Sequence, residues 1–233
     1  MDTGSKTRVA ILEDHQSIID GYLFRLSPYP DIAVVATATS AEELEPLLAR
    51  SKPDVLLLDV SVPTSPENPS HFPINQVIPK WLQAYPQLSI LVISMHNVPT
   101  LVRTVMKAGA SGYILKDDQA SIQELGGILR SIANGGVYLS KEASSHLQTR
   151  TDEESLLTAR QLQALSMCAA YPDATTYDLA DKLGVAHSTL RNFLSEAYLR
   201  LEVHNRTAAI ARARQLGLIS PQESTWDAQD RDV

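Results

Sequence analysis

Two hydrophobic periods alternate along the first 135 residues. Short, almost wholly apolar runs occur at Arg8-Val9-Ala10-Ile11-Leu12, Ile32-Ala33-Val34-Val35-Ala36, Val55-Leu56-Leu57-Leu58, Leu88 to Ile93 and Gly112-Tyr113-Ile114-Leu115. Between them the apolar positions recur every three or four residues: Ile18, Ile19, Tyr22, Leu23 and Leu26, then Leu44, Leu47 and Leu48. Further helical stretches fall near 74–84, 98–109 and 120–134. A strand that is apolar at successive positions is buried on both faces, so helices must cover both sides of its sheet. The pattern predicts an α/β unit over 1–135, a doubly wound five-stranded parallel sheet. Such sheets bind ligands beyond the carboxyl ends of their strands.

Asn134-Gly135-Gly136 is a helix stop, because Asn and Gly tolerate the left-handed conformation. Residues 136–154 are polar and read as a linker holding one short helix. An all-helical unit follows over 155–219, with four helices: Thr158 to Ala170, Thr175 or Thr176 to Gly184, Ser188 to Leu201, and Arg206 to Leu216. The middle two, joined through Gly184, form a helix-turn-helix candidate. In that motif the second helix enters the DNA major groove with its N-terminal residues at the base edges, here Ser188, Thr189, Arg191 and Asn192. Leu190, Leu194, Ala197 and Leu201 form the inward stripe.

Composition narrows the class. The chain has 233 residues, 44% of them hydrophobic, and a net charge of −7. It is long enough for two small domains and too apolar to be disordered. Cys168 is the single cysteine, which excludes an internal disulfide and a Cys-pair zinc site. No apolar run approaches the ~18 residues of a membrane span, and Met1-Asp2-Thr3-Gly4-Ser5-Lys6 does not open a signal peptide, so a cytoplasmic protein is expected. Within the acidic whole, 155–219 holds seven basic side chains against five acidic ones, followed by an acidic tail over 220–233. That island leaves room for one local nucleic-acid surface. No Gly-rich nucleotide loop or nucleophile elbow is present, so no enzyme active site is expected.

The polar chemistry gathers where the sheet should have its crevice. Glu13 and Asp14 follow the first strand, Asp59 follows the third, Ser94 ends the fourth and Lys116 follows the fifth. Carboxylates at neighbouring strand ends offer hard oxygens suited to Mg²⁺. A lysine supplies a point charge, and a serine a hydrogen bond, to a phosphoryl group. These residues, with Pro63 four positions after Asp59 and the run Lys107-Ala108-Gly109-Ala110-Ser111-Gly112-Tyr113-Ile114-Leu115-Lys116, resemble the receiver domain of bacterial two-component response regulators. The resemblance implies a flavodoxin-like fold with Asp59 as the phospho-acceptor. It implies Mg²⁺ held by Glu13, Asp14, Asp59 and the backbone carbonyl of Ser61, Lys116 on the phosphoryl oxygens, and Ser94 with Tyr113 as the switch pair. Apart from the resemblance, His96 lies two residues after Ser94, and its position makes it a secondary candidate for tuning phosphate lifetime, with an ordinary loop residue the favoured reading. One departure stands out: the Pro-rich stretch Pro63 to Pro73 runs several residues longer than is usual for the family, and it reads as a tolerated surface loop.

Residues 155–219 in turn resemble the LuxR/NarL-type DNA-binding domain. The match runs through Leu157-Thr158-Ala159-Arg160, Leu179-Ala180-Asp181-Lys182-Leu183-Gly184-Val185 and Leu201-Glu202-Val203-His204-Asn205-Arg206-Thr207-Ala208-Ala209. It implies DNA contacts from Lys182, His187, Ser188, Thr189, Arg191, Asn192 and Arg206. The chain departs from the family's usual pattern at Gln161, Tyr177, Ser188 and Phe193, where polar or DNA-facing groups are replaced. The resulting expectation is a transcription regulator, phosphorylated on Asp59 by a sensor histidine kinase and binding double-stranded DNA as a homodimer on a two-fold site, away from membranes. The rival expectation is a phosphorylated module whose helical domain dimerises or binds a protein.

Overall fold

Parallel strands dominate the N-terminal part of the computed structural model, which describes residues 6–148 and 156–219. The strands are β1 (Thr7–Leu12), β2 (Ile32–Ala38), β3 (Val55–Leu58), β6 (Ser89–Ser94), β7 (Gly112–Leu115) and β8 (Tyr138–Leu139), ordered β2-β1-β3-β6-β7-β8 with every pairing parallel. Alternate side chains feed two separate cores. Val9, Ile11, Val55, Leu57, Leu91, Ile93 and Ile114 pack against α1 (Gln16–Leu26) and α6 (Leu125–Ala133). Ala10, Leu12, Leu56, Leu58, Ile90, Val92, Tyr113 and Leu115 pack against α2 (Ala41–Ser51), α3 (Ile74–Ala84) and α4 (Pro99–Lys107). Burial on both faces is the physical reason the strands lack polar alternation.

The structure corrects three expectations. The sheet has six strands rather than five. β8 spans only two residues, too few to show a hydrophobic period, and it falls in the stretch read as linker. Gly112 allows it to pair, since a Cβ there would lie 2.5 Å from the Tyr138 carbonyl oxygen. α7 (Lys141–Gln148) then packs on α4 and β7. The helix expected over 120–134 is two: α5 (Gln119–Gln123), capped by the Asp118 carboxylate on the Ser121 N–H, and α6. Finally, the Pro-rich loop is an antiparallel hairpin of β4 (Pro63–Ser65) and β5 (Asn68–His71). Pro66 begins its turn, a position that suits its fixed φ. Thr64 Oγ1 donates to the Ser70 carbonyl at 2.7 Å, and the Asn68 N–H donates to Ser65 Oγ at 3.1 Å.

Four helices build the C-terminal part: α8 (Ala159–Ala170), α9 (Thr176–Leu183), α10 (His187–Arg200) and α11 (Arg206–Gln215). Thr158 with Gln161 and Thr175 with Asp178 make reciprocal capping boxes at the starts of α8 and α9, so their first orphan N–H groups are satisfied. Leu165, Cys168, Leu179, Leu190, Leu194, Ala197 and Leu201 close the core. The rest of the expected linker, 149–154, and the acidic tail, 220–233, lie outside the described residues.

Candidate functional site: an acidic crevice and an exposed helix

Register places the chemistry. Leu12 pairs with Leu58, Leu58 with Val92, and Ser94 with Leu115, so Glu13, Asp59, Ser94 and Lys116 emerge at one end of neighbouring strands. The strand order reverses between β1 and β3, where open α/β sheets hold their ligands. Asp59 is 4% exposed and Glu13 1%. The Lys116 ammonium bridges them at 2.7 Å to Asp59 Oδ2 and 2.7 Å to Glu13 Oε2. The Ser61 N–H donates to Asp59 Oδ1 at 3.1 Å.

The electrostatics carry a surplus of negative charge. Burial pushes the Glu13 carboxyl up and the neighbouring Asp59 charge adds to that rise, while the Lys116 ammonium and the His15 N–H pull the other way. For Lys116, burial opposes the charged form, but Asp59 and Glu13 together hold the ammonium above its ordinary value. Partial burial likewise works against a charged His15, yet Asp14 and then Glu13 raise its imidazole. His15 Nδ1 lies 2.8 Å from Asp14 Oδ1 and 3.3 Å from Glu13 Oε1. Sequence reasoning passed over His15; its signal was adjacency to Glu13-Asp14 at a strand end. The ligand atoms of Glu13, Asp14 and His15 lie within 4.8 Å of one another. Carboxylate oxygens packed around an uncompensated buried charge fit a hard divalent cation such as Mg²⁺.

The remaining candidates sit on the two adjoining loops. Ser94 is fully buried, and its Oγ accepts the His96 N–H at 3.1 Å. Tyr113 is also fully buried and donates its hydroxyl to the His96 carbonyl at 2.7 Å. His96 Nε2 shares a hydrogen bond of 3.0 Å with Ser61 Oγ, and burial lowers its pKa. The loops after β3 and β6 therefore meet at a Ser61–His96 contact beside Asp59.

On the helical part, Lys182, Ser188, Arg191 and Asn192 are exposed, and His187 and Thr189 half-exposed. Tyr177, 66% exposed, stacks on His187 with ring centroids 3.7 Å apart. Lys182 lies 4.6 Å over the Tyr171 ring. Arg206 departs from the expected set. Its guanidinium turns inward to donate to the carbonyls of Tyr171 and Ala174, both at 2.8 Å, and of Cys168 at 3.1 Å. A cation at the last carbonyls of a helix satisfies orphan acceptors and complements the dipole, so Arg206 closes α8 instead of facing outward.

Comparison with known proteins matches residues 9–125 to the response regulator receiver domain and residues 155–213 to the bacterial regulatory proteins of the luxR family. The chain belongs to the response regulators. The regulator is 26% identical over 240 residues to the transcriptional regulatory protein DegU of Brevibacillus brevis, covering 92% of this chain and 96% of that one. It is 27% identical over 214 residues to DesR of Bacillus subtilis strain 168, covering 90% and 97%. Among solved structures, RcsB of Salmonella enterica serovar Typhimurium, bound to a promoter with the phosphomimetic BeF3⁻, aligns with a TM-score of 0.63 at 20% identity. That alignment covers 89% of this chain and 98% of RcsB, and the likeness is one of fold. No helix among the described residues is long and apolar enough to cross a membrane.

Proposed function

We propose that this regulator accepts a phosphoryl group on Asp59 from a sensor histidine kinase, and that the modification governs its binding to a two-fold DNA site and so the transcription of nearby genes. The observation that carries the reading is the setting of Asp59: a buried carboxylate at a strand end, with one oxygen on the Lys116 ammonium and the other on a backbone N–H. In the transfer, a carboxylate oxygen of Asp59 forms the new O–P bond as the N–P bond of the donor phosphohistidine breaks. The electron pair of that bond stays on the imidazole nitrogen, which then takes a proton. Lys116 balances charge on the phosphoryl oxygens, and the Ser61 N–H steadies the carboxylate. Glu13, Asp14 and Asp59, with the Ser61 carbonyl, would hold Mg²⁺, which when bound neutralises charge between the acids and the incoming phosphate. The Ser94 hydroxyl and Tyr113 respond to the added charge.

In the helical domain, Lys182, His187, Ser188, Thr189, Arg191 and Asn192 would meet DNA. Arg and Asn pair bidentately with guanine and adenine edges, and two copies would place their recognition helices on half-sites about one helical turn apart. The named relatives are transcriptional regulatory proteins, which supports this reading over a protein-binding module. The deciding experiment incubates the protein with fragmented genomic DNA at about 0.15 M salt, a condition that suppresses weak electrostatic binding, with and without beryllofluoride and Mg²⁺. Enrichment of a two-fold motif that responds to the mimic in wild type, but not in Asp59→Asn, is the expected result. No enrichment in either state would sink the DNA reading, and an unaltered response in Asp59→Asn would sink the phosphorylation site.

A further inference from the structure

The hairpin of β4 and β5, together with α3, meets the helical domain along α8. Asn68 Nδ2 donates to the Ala170 carbonyl, the last of α8, at 2.6 Å. Just beyond the hairpin, Gln76 Nε2 donates to the Gln163 carbonyl at 3.1 Å, and Ser166 Oγ donates to Asn75 Oδ1 at 3.0 Å. Beside these bonds lies a cavity of about 860 Å³ that plays no part in the acidic crevice. Small-molecule sites span about 300–1,000 Å³ and favour the junctions between domains.

Aromatic and thioether side chains make its walls. Phe72 and Trp81, with ring centroids 5.9 Å apart, come from the receiver side, and Met167 and Tyr171 from the helical side. Such groups contact a flat aromatic ring favourably through ring edges and sulfur. Trp81 is 2% exposed, and its indole Nε1–H has no hydrogen-bond acceptor among the described residues. A buried donor without an acceptor carries its full desolvation cost, and an acceptor reaching it from the cavity removes that cost. The neighbouring donors are engaged already: Asn68 and Gln76 donate across the interface, and Thr64 Oγ1 donates within the hairpin. The ionisable lining is balanced. Glu45 pairs with Lys80 at 2.5 Å, and Glu42 is matched by Lys182, whose ammonium lies 4.6 Å over the Tyr171 ring. A balanced lining does not compensate a charge brought in from water.

We infer that this cavity binds a neutral, planar aromatic compound carrying a carbonyl acceptor. Its rings lie between the two aromatic walls, and its carbonyl accepts the Trp81 N–H. The assignment goes beyond the phosphorylation reading and depends on neither Asp59 nor Mg²⁺. The Pro-rich insertion supplies Thr64, Ser65 and Asn68 to the rim, so a stretch that is long for the family has a use here. Because the walls belong to two parts of the chain, the ligand binds only while those parts are docked.

The test is equilibrium dialysis of the full chain, without any phosphoryl mimic, against three probes. Coumarin carries the carbonyl, naphthalene is a bicyclic ring system of similar size that lacks it, and coumarin-3-carboxylate adds a charge. Wild type should bind coumarin with a dissociation constant of about 1 mM or tighter, and coumarin-3-carboxylate more weakly. Trp81→Phe keeps a ring but deletes the N–H. It should weaken coumarin about three- to tenfold more than it weakens naphthalene, the ordinary net worth of one hydrogen bond. Gln76→Trp, which fills the cavity from a half-buried position on α3, should abolish binding of both. Circular dichroism checks that each variant folds, and Gln76→Trp decides the location even where Trp81→Phe does not fold. No saturable binding of coumarin by wild type would overturn the site, and binding that survives Gln76→Trp would place the probe elsewhere. Equal losses of coumarin and naphthalene in Trp81→Phe would overturn the role of the indole N–H. Binding of the carboxylate as tight as that of coumarin would overturn the neutral class.

Discussion

Lys116 is the hinge of the acidic crevice at the scale of single residues. Its one charge is shared by two buried carboxylates, and burial, with the neighbouring Asp59 charge behind it, holds the Glu13 carboxyl above its ordinary value. A carboxyl whose folded pKa lies above its unfolded value contributes stability below the unfolded value and loses that contribution as pH rises through the folded one. Ionised Glu13 therefore works against folding at neutral pH. Glu13→Gln should raise the midpoint of urea unfolding at pH 7 in the absence of metal. That gain should shrink as pH falls toward the ordinary value of 4.5, and the same variant should lose Mg²⁺ binding, read by titration calorimetry. A midpoint that drops at pH 7 and stays lower in acid would show that the Lys116 contact outweighs the buried charge. Glu13, Asp14, Asp59, Ser94 and Lys116 were legible as a set because each closes or follows an apolar run. The bridging of Glu13 and Asp59 by one ammonium was not, since it depends on strand order. Nor was the inward turn of Arg206: its charge is the same in either direction, and only the end of α8 explains where it goes.

At the scale of elements, caps and helix faces decide most of what the motif reading had to infer. The Asp118 carboxylate accepts the Ser121 N–H and the Ser121 hydroxyl, and these bonds lower its pKa. Asp118→Ala should cost about 1 kcal/mol, the ordinary worth of an N-cap, measured by chemical denaturation at neutral pH. Because the folded pKa is depressed, that difference should be full above 3.8 and vanish as pH falls through the lower folded value. In the helical domain, Arg191 and Arg206 should part company. Arg191→Ala should weaken binding to selected DNA by about 1–3 kcal/mol and relax specificity at one base position, with thermal stability unchanged. Arg206→Ala strips the partner from three carbonyls and should lower the melting temperature of the helical domain. Equal melting temperatures for the two variants would contradict the structural role given to Arg206. The Pro-rich stretch shows the limit of element-level reading. Its residues suit turns, so it passed for a loop, whereas pairing of Pro63 with His71 and of Ser65 with Asn68 makes it a hairpin with a destination.

On the scale of the whole molecule, two domains share an interface whose polar contacts come from the segments flanking the crevice. A ligand that binds only the folded crevice stabilises the protein by mass action, about 2.7 kcal/mol at a hundredfold excess over its dissociation constant. Beryllofluoride with Mg²⁺ should accordingly raise the melting temperature of wild type in a concentration-dependent way, and Asp59→Asn should abolish the rise. A rise that survives in Asp59→Asn would place the ligand elsewhere.

Hydrophobic period alone determined the parallel sheet, the helices over both its faces and the four-helix unit that follows, because burial on two faces leaves an unbroken apolar run and burial on one leaves a stripe. It also determined which polar residues stand at strand ends. Tertiary structure decided the sixth strand, the bridge of Lys116 between two acids, the capping role of Arg206 and the docking of the hairpin on α8. Each of these joins groups that are distant in sequence through one or a few directional hydrogen bonds, and such bonds leave no period along the chain.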